Sequence, residues 1–231
     1  MSNFQFQPKP LLTKEEYVYA TLRAAIMHCD LKPGARLVID SLSDELGVSP
    51  IPIRGALQRL QAEGLVEITP HSGAVVSEIF PETIHEVFLL LEVLESAAFR
   101  VAIPKANEAE IEQLRQLVGE MDKSLQESDV NRWSDLNNQF HLAVARITGM
   151  KMLLEFTGRT LDSWDRLRRC FLPSVVSSRP FEAQAEHRQM IELIEQRQVD
   201  SLLRLAAQHN RHAKETYQQL IKDQSRLIAE D

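Results

Sequence analysis

Four polar side chains in the second half of the chain have the types and spacing of a metal site. Asn137 and His141 are four residues apart, and His187 and His209 follow on later segments. Residues four apart on a helix project from one face, so the first two form a paired grip once their segment is helical. Three neutral imidazoles and one amide oxygen suit zinc, nickel or a related divalent ion, with positions left for water or a ligand. Spacing alone leaves the reading open. Histidines on helices are commonly surface or hydrogen-bonded core residues, and His212, one turn past His209, is a spare candidate. The same four residues could also serve a helical metal-dependent enzyme. Such an enzyme needs a general base beside its metal-bound water, and no motif such as H-E-x-x-H is present.

The segments that must position these groups read as helices. From Val87 through Leu90, Leu91, Leu94, Ala98 and Val101 the apolar residues keep helical spacing. Amphipathic stretches follow at about 107–127, 130–148, 151–171, 180–197 and 199–228. The breaks fall at Ile103-Pro104, Ser128-Asp129, Gly149, the Pro173 to Pro180 segment and Gln198. Strand-like alternation is missing beyond residue 78, so residues 79–231 are expected to form an all-α bundle of six to seven helices. Trp164, Phe156, Phe140 and Phe171 sit at helical spacing and are expected mainly as core.

The first third is built differently. Leu42, Leu46 and Val48, then Ile53, Leu57 and Leu60, place two short apolar helical runs on either side of Gly47. Ser49 can cap the second helix, and Pro50 suits its first position, where no N–H is required. Ile53, Leu57 and Leu60 then face inward and leave Arg54, Gln58 and Gln61 as a polar stripe outside. After Gly64, LVEIT and AVVSE alternate around Pro70-His71-Ser72-Gly73, which fits a hairpin with His71 and Ser72 at its tip. Two short helices, a tight turn and a hairpin make a winged helix-turn-helix, expected over residues 1–78 with 1–10 as a flexible arm. Its exposed stripe has the width and chemistry for a DNA major groove.

Charge limits that expectation. Seven basic residues stand against nine acidic ones through Glu78, and the whole chain carries a net charge of -7, so this is not a basic, indiscriminate DNA binder. From Pro50 to Ala62 the only charges are Arg54 and Arg59. One short helix with two cations cannot supply both affinity and specificity, whereas a homodimer on two half-sites can. With 44% hydrophobic residues in 231, the chain can bury substantial cores. No run approaches the ~20 apolar residues of a membrane span, and the N-terminus lacks a signal-peptide pattern. No membrane partner and a cytoplasmic location are therefore expected. Cys29 and Cys170 have no metal-type spacing and are expected as ordinary thiols.

The stretches LKPGARL, LSDELGVSPIPIRGALQRLQAEGLVEI and HSGAVV resemble the DNA-binding domain of the GntR family of bacterial transcription regulators. The family's recognition helix usually begins SRTPVREAL, so the resemblance implies operator contacts from Ser49 and Arg54 and a wing shaped by Gly73. Pro50 departs from a commonly occurring arginine, and Asp40 from another. NQFHLAVARITG and EHRQMIELIEQRQVDSLLRLAAQH are similar to the FCD effector domain of the FadR-type branch. That similarity implies a divalent metal held by Asn137, His141, His187 and His209, to which a small organic acid binds. Asn137 replaces the commoner aspartate. Leu91 stands where an arginine often precedes the Leu94-Glu95 pair, leaving Arg168 as a candidate for binding the acid's carboxylate. The implied function is a ligand-responsive regulator, expected as a repressor, bound to double-stranded operator DNA.

Overall fold

A computed structural model describes residues 12–69, 73–171 and 179–230. The chain divides into two compact units after Ile79, close to the expected change of pattern at residue 78. The expected arm at 1–10 and the hairpin tip at His71 and Ser72 lie outside the described residues.

The first unit opens with α1 (Lys14–Met27), which the spacing analysis did not anticipate. Thr13 starts it with a reciprocal box: its hydroxyl accepts from the Glu16 amide while the Glu16 carboxylate accepts from the Thr13 amide. The signal was present, because Val18, Leu22 and Ile26 recur every four residues and all three are buried. They pack on Ile53, Leu57 and Leu60 of α3 (Pro50–Ala62), with Leu42 of α2 (Ile39–Leu46) closing the cluster. Burying each of these side chains stabilises the unit by about 1.5–3 kcal/mol relative to exposure. Gly47 ends α2 at φ 65°, a left-handed conformation that glycine adopts without a Cβ clash.

The expected hairpin is present as β2 (Val66–Thr69) and β3 (Gly73–Val76), with Val66 opposite Val76 and Ile68 opposite Ala74. A two-residue strand, β1 (Arg36–Leu37), adds to the other side of β3 and gives the antiparallel order β1-β3-β2. Its brevity explains why alternation could not reveal it.

The second unit contains six α-helices among the described residues: α4 (Ile84–Ala102), α5 (Glu108–Gln126), α6 (Val130–Ile147), α7 (Lys151–Phe171), α8 (Arg179–Glu195) and α9 (Val199–Glu230). Their starts follow local chemistry. Asn107 and Glu110 form a second capping box, and Asp129 accepts from the Arg132 amide. Phe99, Leu114, Met121, Phe140, Met190, Ile194 and Leu202 form the core, so Phe140 is core as expected. Phe156 is exposed instead. Helix α4 packs on α6, α7 and α9, while α8 packs on α5 and α9, and the interior polar groups are held among these helices. Neither Cys29 nor Cys170 is a free thiol, a correction to the expectation above. Two cysteines so far apart in sequence offer no spacing from which their state could be read. None of the described helices is long and apolar enough to cross a membrane.

Candidate functional site

The three histidines converge. His141 on α6, His187 on α8 and His209 on α9 are buried, and each offers a ligand atom within 4.8 Å of the others. Asn137 lies one turn before His141 and lines a cavity together with His141 and His209. Its Oδ1 is buried with no hydrogen-bond partner among the described residues, as are both ring nitrogens of His187. Buried polar atoms without partners cost about 1–3 kcal/mol each, so such a cluster calls for something to satisfy it. A divalent cation fits this donor set of three imidazoles and one amide oxygen.

A surrounding layer of carboxylates orients the rings. His209 Nδ1 lies 2.6 Å from Glu186 Oε2, so an Nδ1–H donating to that carboxylate leaves Nε2 with its lone pair available. His141 Nδ1 lies 3.0 Å from Glu95 Oε1, although poorly aligned for a hydrogen bond. Asn210 donates to the other Glu95 oxygen at 2.7 Å. Arg179, 1% exposed, donates to both Glu186 oxygens and to the His209 carbonyl. Trp133 on α6 is tied to α8 through Gln184, which donates in turn to Asp122 of α5. The ligand-bearing helices are thereby fixed relative to one another.

The electrostatics favour neutral imidazoles at His187 and His209 and charged carboxylates at Glu95 and Glu186. Burial lowers the His187 pKa well below its usual value, and the neighbouring His209, His141 and Arg179 push the same way. Burial also lowers that of His209, against the raising effect of its bond to Glu186. For Glu95 and Glu186 burial acts upward. It is outweighed by His141 beside Glu95 and by His209 and Arg179 beside Glu186, so both carboxyls titrate below their usual range. Neutral imidazole is the metal-binding form. The sign for stability follows: below about pH 6.5 the unfolded chain takes up protons that folded His187 and His209 refuse. The two carboxylates add to the loss below about pH 4.5. In metal-free protein the unfolding midpoint should therefore be level above neutrality and fall as pH drops from 6.5. A midpoint in thermal scans that rises on acidification would contradict these directions.

The cavity continues past the histidines. Ser134, Glu95, Arg179 and Asn210 line its polar side, and Phe88, Leu91, Leu161, Trp164, Ala213 and Tyr217 its apolar side. Phe88, Trp164 and Tyr217 contact one another, with ring centroids of Trp164 and Tyr217 4.5 Å apart. Arg168, the expected carboxylate binder, does not line this cavity. Its guanidinium bonds Asp165 at 3.0 Å and Asn131 at 3.2 Å, because Asp165 lies one turn before it on α7. The lining arginine is Arg179. Sequence reasoning missed it, together with Glu186 and Glu95. Glu95 did carry a signal, since a carboxylate sits in the inward stripe of Leu91, Ala98 and Phe99.

The first unit presents the other candidate surface. Arg54, Gln58 and Gln61 are exposed on α3, opposite the buried Ile53, Leu57 and Leu60. Arg54 and Gln58 line a groove with Ile39, Ile68, Thr69 and Gly73, between α3 and the hairpin. Gly73 has φ 89°, so a side chain there would be strained and the wing would be reshaped. Ser49 adopts the extended N-cap conformation but makes no capping bond, a correction that leaves its exposed hydroxyl for other partners. Arg59 stacks its guanidinium 3.8 Å above the Tyr19 ring, an arrangement that favours holding α1 to α3. Ile51 was missed. It is 80% exposed, three residues before Arg54 on the same face, and extends the stripe with an apolar group of the kind that contacts a thymine methyl.

Residues 14–76 match the profile of bacterial regulatory proteins of the gntR family, and residues 86–212 match that of the FCD domain. The HTH-type transcriptional repressor RspR of Escherichia coli K12 is 24% identical over 225 residues, covering 97% of this chain and 98% of that protein. An uncharacterised HTH-type transcriptional regulator in an unstable DNA locus of Streptomyces ambofaciens is 30% identical over 183 residues, 79% of this chain and 75% of that protein. Among solved structures, E. coli McbR/YncC superposes with a TM-score of 0.76 at 19% identity, covering 91% of this chain and 99% of that one, which bears on the fold.

Proposed function

The chain belongs to the GntR family of bacterial regulatory proteins and carries an FCD domain; from that premise we propose a ligand-responsive repressor whose operator affinity is set by a small organic acid bound beside a metal ion in the second unit. It is a bacterial transcription regulator rather than an enzyme. The observation that carries the finer reading is the convergence of His141, His187 and His209, with both His187 ring nitrogens unpartnered among the described residues, beside a cavity that Asn137, His141 and His209 line. Asn137, His141, His187 and His209 would hold zinc or nickel, and the ion would supply a positive anchor for a carboxylate. A metal-dependent enzyme is not favoured, since the nearby carboxylates Glu95 and Glu186 are occupied by Asn210, Arg179 and His209.

The regulator acts in the cytoplasm as a homodimer. Exposed Leu89, Leu90, Val93 and Val101 make an apolar face along α4 suited to a second copy of the chain. Two copies of α3 would then read half-sites about 34–36 Å apart, with Ser49, Arg54, Gln58 and the wing contacting DNA. An acid that binds one placement of the two DNA-binding units better than another shifts the population toward it, and operator affinity changes by the same factor. The coupling is tested by operator titration of zinc-loaded and chelated protein. Affinity should differ between the two by about 5–150-fold in the presence of the effector acid. Equal affinities from samples that demonstrably differ in bound zinc would remove the metal from the mechanism.

A further inference from the structure

We infer that Ile51 determines operator specificity by covering the methyl group of a thymine in each half-site, one or two base pairs from the base pair beside Arg54. The inference rests on the operator-binding reading above and deepens it by naming a base.

The first turn of α3 has the wrong chemistry for seating a phosphate. The backbone N–H groups at the start of a helix have no intrahelical partner, and ordinarily they favour an anion there. In α3 the four leading positions are Ser49, Pro50, Ile51 and Pro52. Proline carries no N–H, so two of the four donors are missing. No charged side chain occurs from Gly47 to Ile53. That leaves the Ser49 and Ile51 amides and the Ser49 hydroxyl as the only donors of the turn. What the turn presents instead is apolar surface. Pro50 is exposed, and Ile51, at 80%, is the most exposed large apolar side chain among the described residues.

Its place on the helix decides what Ile51 meets. Ile51, Arg54 and Gln58 are spaced i, i+3, i+7 and share the face turned away from the buried Ile53, Leu57 and Leu60. Ile51 lies about 4.5 Å along the helix axis from Arg54, against about 3.4 Å between successive base pairs. The two side chains therefore address base pairs that are adjacent or one apart. Isoleucine has neither donor nor acceptor, so among the groups displayed in the major groove it can favour only the C5 methyl of thymine. Covering that methyl removes apolar surface of both partners from water. A polar base edge in the same place would lose its water and gain no partner.

The test removes the methyl and nothing else. Duplexes with a random central segment are selected with the full-length protein, and each thymine of the enriched half-sites is replaced singly by uracil, which keeps the base pairing. Affinities are measured for the wild type and for Ile51→Ala, whose exposed position should leave the unfolding midpoint unchanged. At one thymine per half-site, uracil is expected to weaken the wild type about fourfold, and about fifteenfold when both half-sites are changed. Ile51→Ala should lose most of that discrimination at this thymine and respond like the wild type to uracil elsewhere, which an isoleucine remote from the DNA would not produce. Half-sites without thymine would overturn the inference, as would uracil replacements that act on the wild type and Ile51→Ala alike at every position. Selection that enriches no sequence would overturn the operator-binding reading beneath it, a distinct result.

Discussion

Replacing Arg54 by alanine will weaken operator binding by the dimer about 30-fold or more while leaving the fold and the metal content unchanged. Arg54 is exposed on α3, the one charged side chain among the described residues that line the groove between that helix and the wing. A bidentate arginine contact to a base discriminates by about 1–3 kcal/mol, and a symmetric dimer loses two such contacts, or about 2–6 kcal/mol. If Arg54 reads a base, specificity at one position of each half-site relaxes. If it holds a phosphate, binding weakens evenly across sequences and the salt dependence becomes shallower. Because the side chain makes no core contact, the unfolding midpoint should stay within the range of ordinary surface substitutions, about 0.5 kcal/mol. Gel-shift titration at two salt concentrations, with thermal scans of both proteins, checks all of this. Unchanged operator affinity would move DNA recognition off this face.

Replacing His187 by leucine should abolish stabilisation by zinc without destabilising the metal-free protein. His187 is fully buried and neither ring nitrogen has a well-formed hydrogen bond among the described residues, so without metal its polarity costs about 1–3 kcal/mol per unsatisfied group. Leucine removes that cost and keeps much of the packing against Phe140, whose ring centroid lies 5.2 Å away. In the wild type, zinc at a thousandfold excess over its dissociation constant adds about 4 kcal/mol. At about 2–4 °C per kcal/mol for a domain of this size, the midpoint rises by about 8–16 °C. The variant should match or exceed the metal-free wild type and gain less than about 2 °C from zinc. A full zinc response in the variant would make His187 a packing residue.

Much of this architecture could be read from the chain because local signals and tertiary packing agree. Gly47, Pro50 and the Ile53, Leu57, Leu60 stripe specify the helix-turn-helix on their own, and the breaks at Ile103-Pro104, Ser128-Asp129 and Gly149 fall between successive bundle helices. Helix α1 escaped notice although its four-residue period was present, and β1 is too short for any period. The His cluster was legible as a set of residue types. Its convergence was not, since α6, α8 and α9 meet only through packing. The same limit explains the arginines. Arg168 and Arg179 look alike in sequence, but Asp165 holds the first along α7 while Glu186 holds the second beside His209.

The most direct test of the regulator reading is selection of genomic DNA fragments by the zinc-loaded full-length protein, followed by sequencing, with Arg54→Ala in parallel. One or a few fragments carrying inverted half-sites should be enriched by the wild type and lost with the variant. A folded, zinc-bound wild type that enriches no sequence, or a variant that enriches the same fragments equally, would contradict the account.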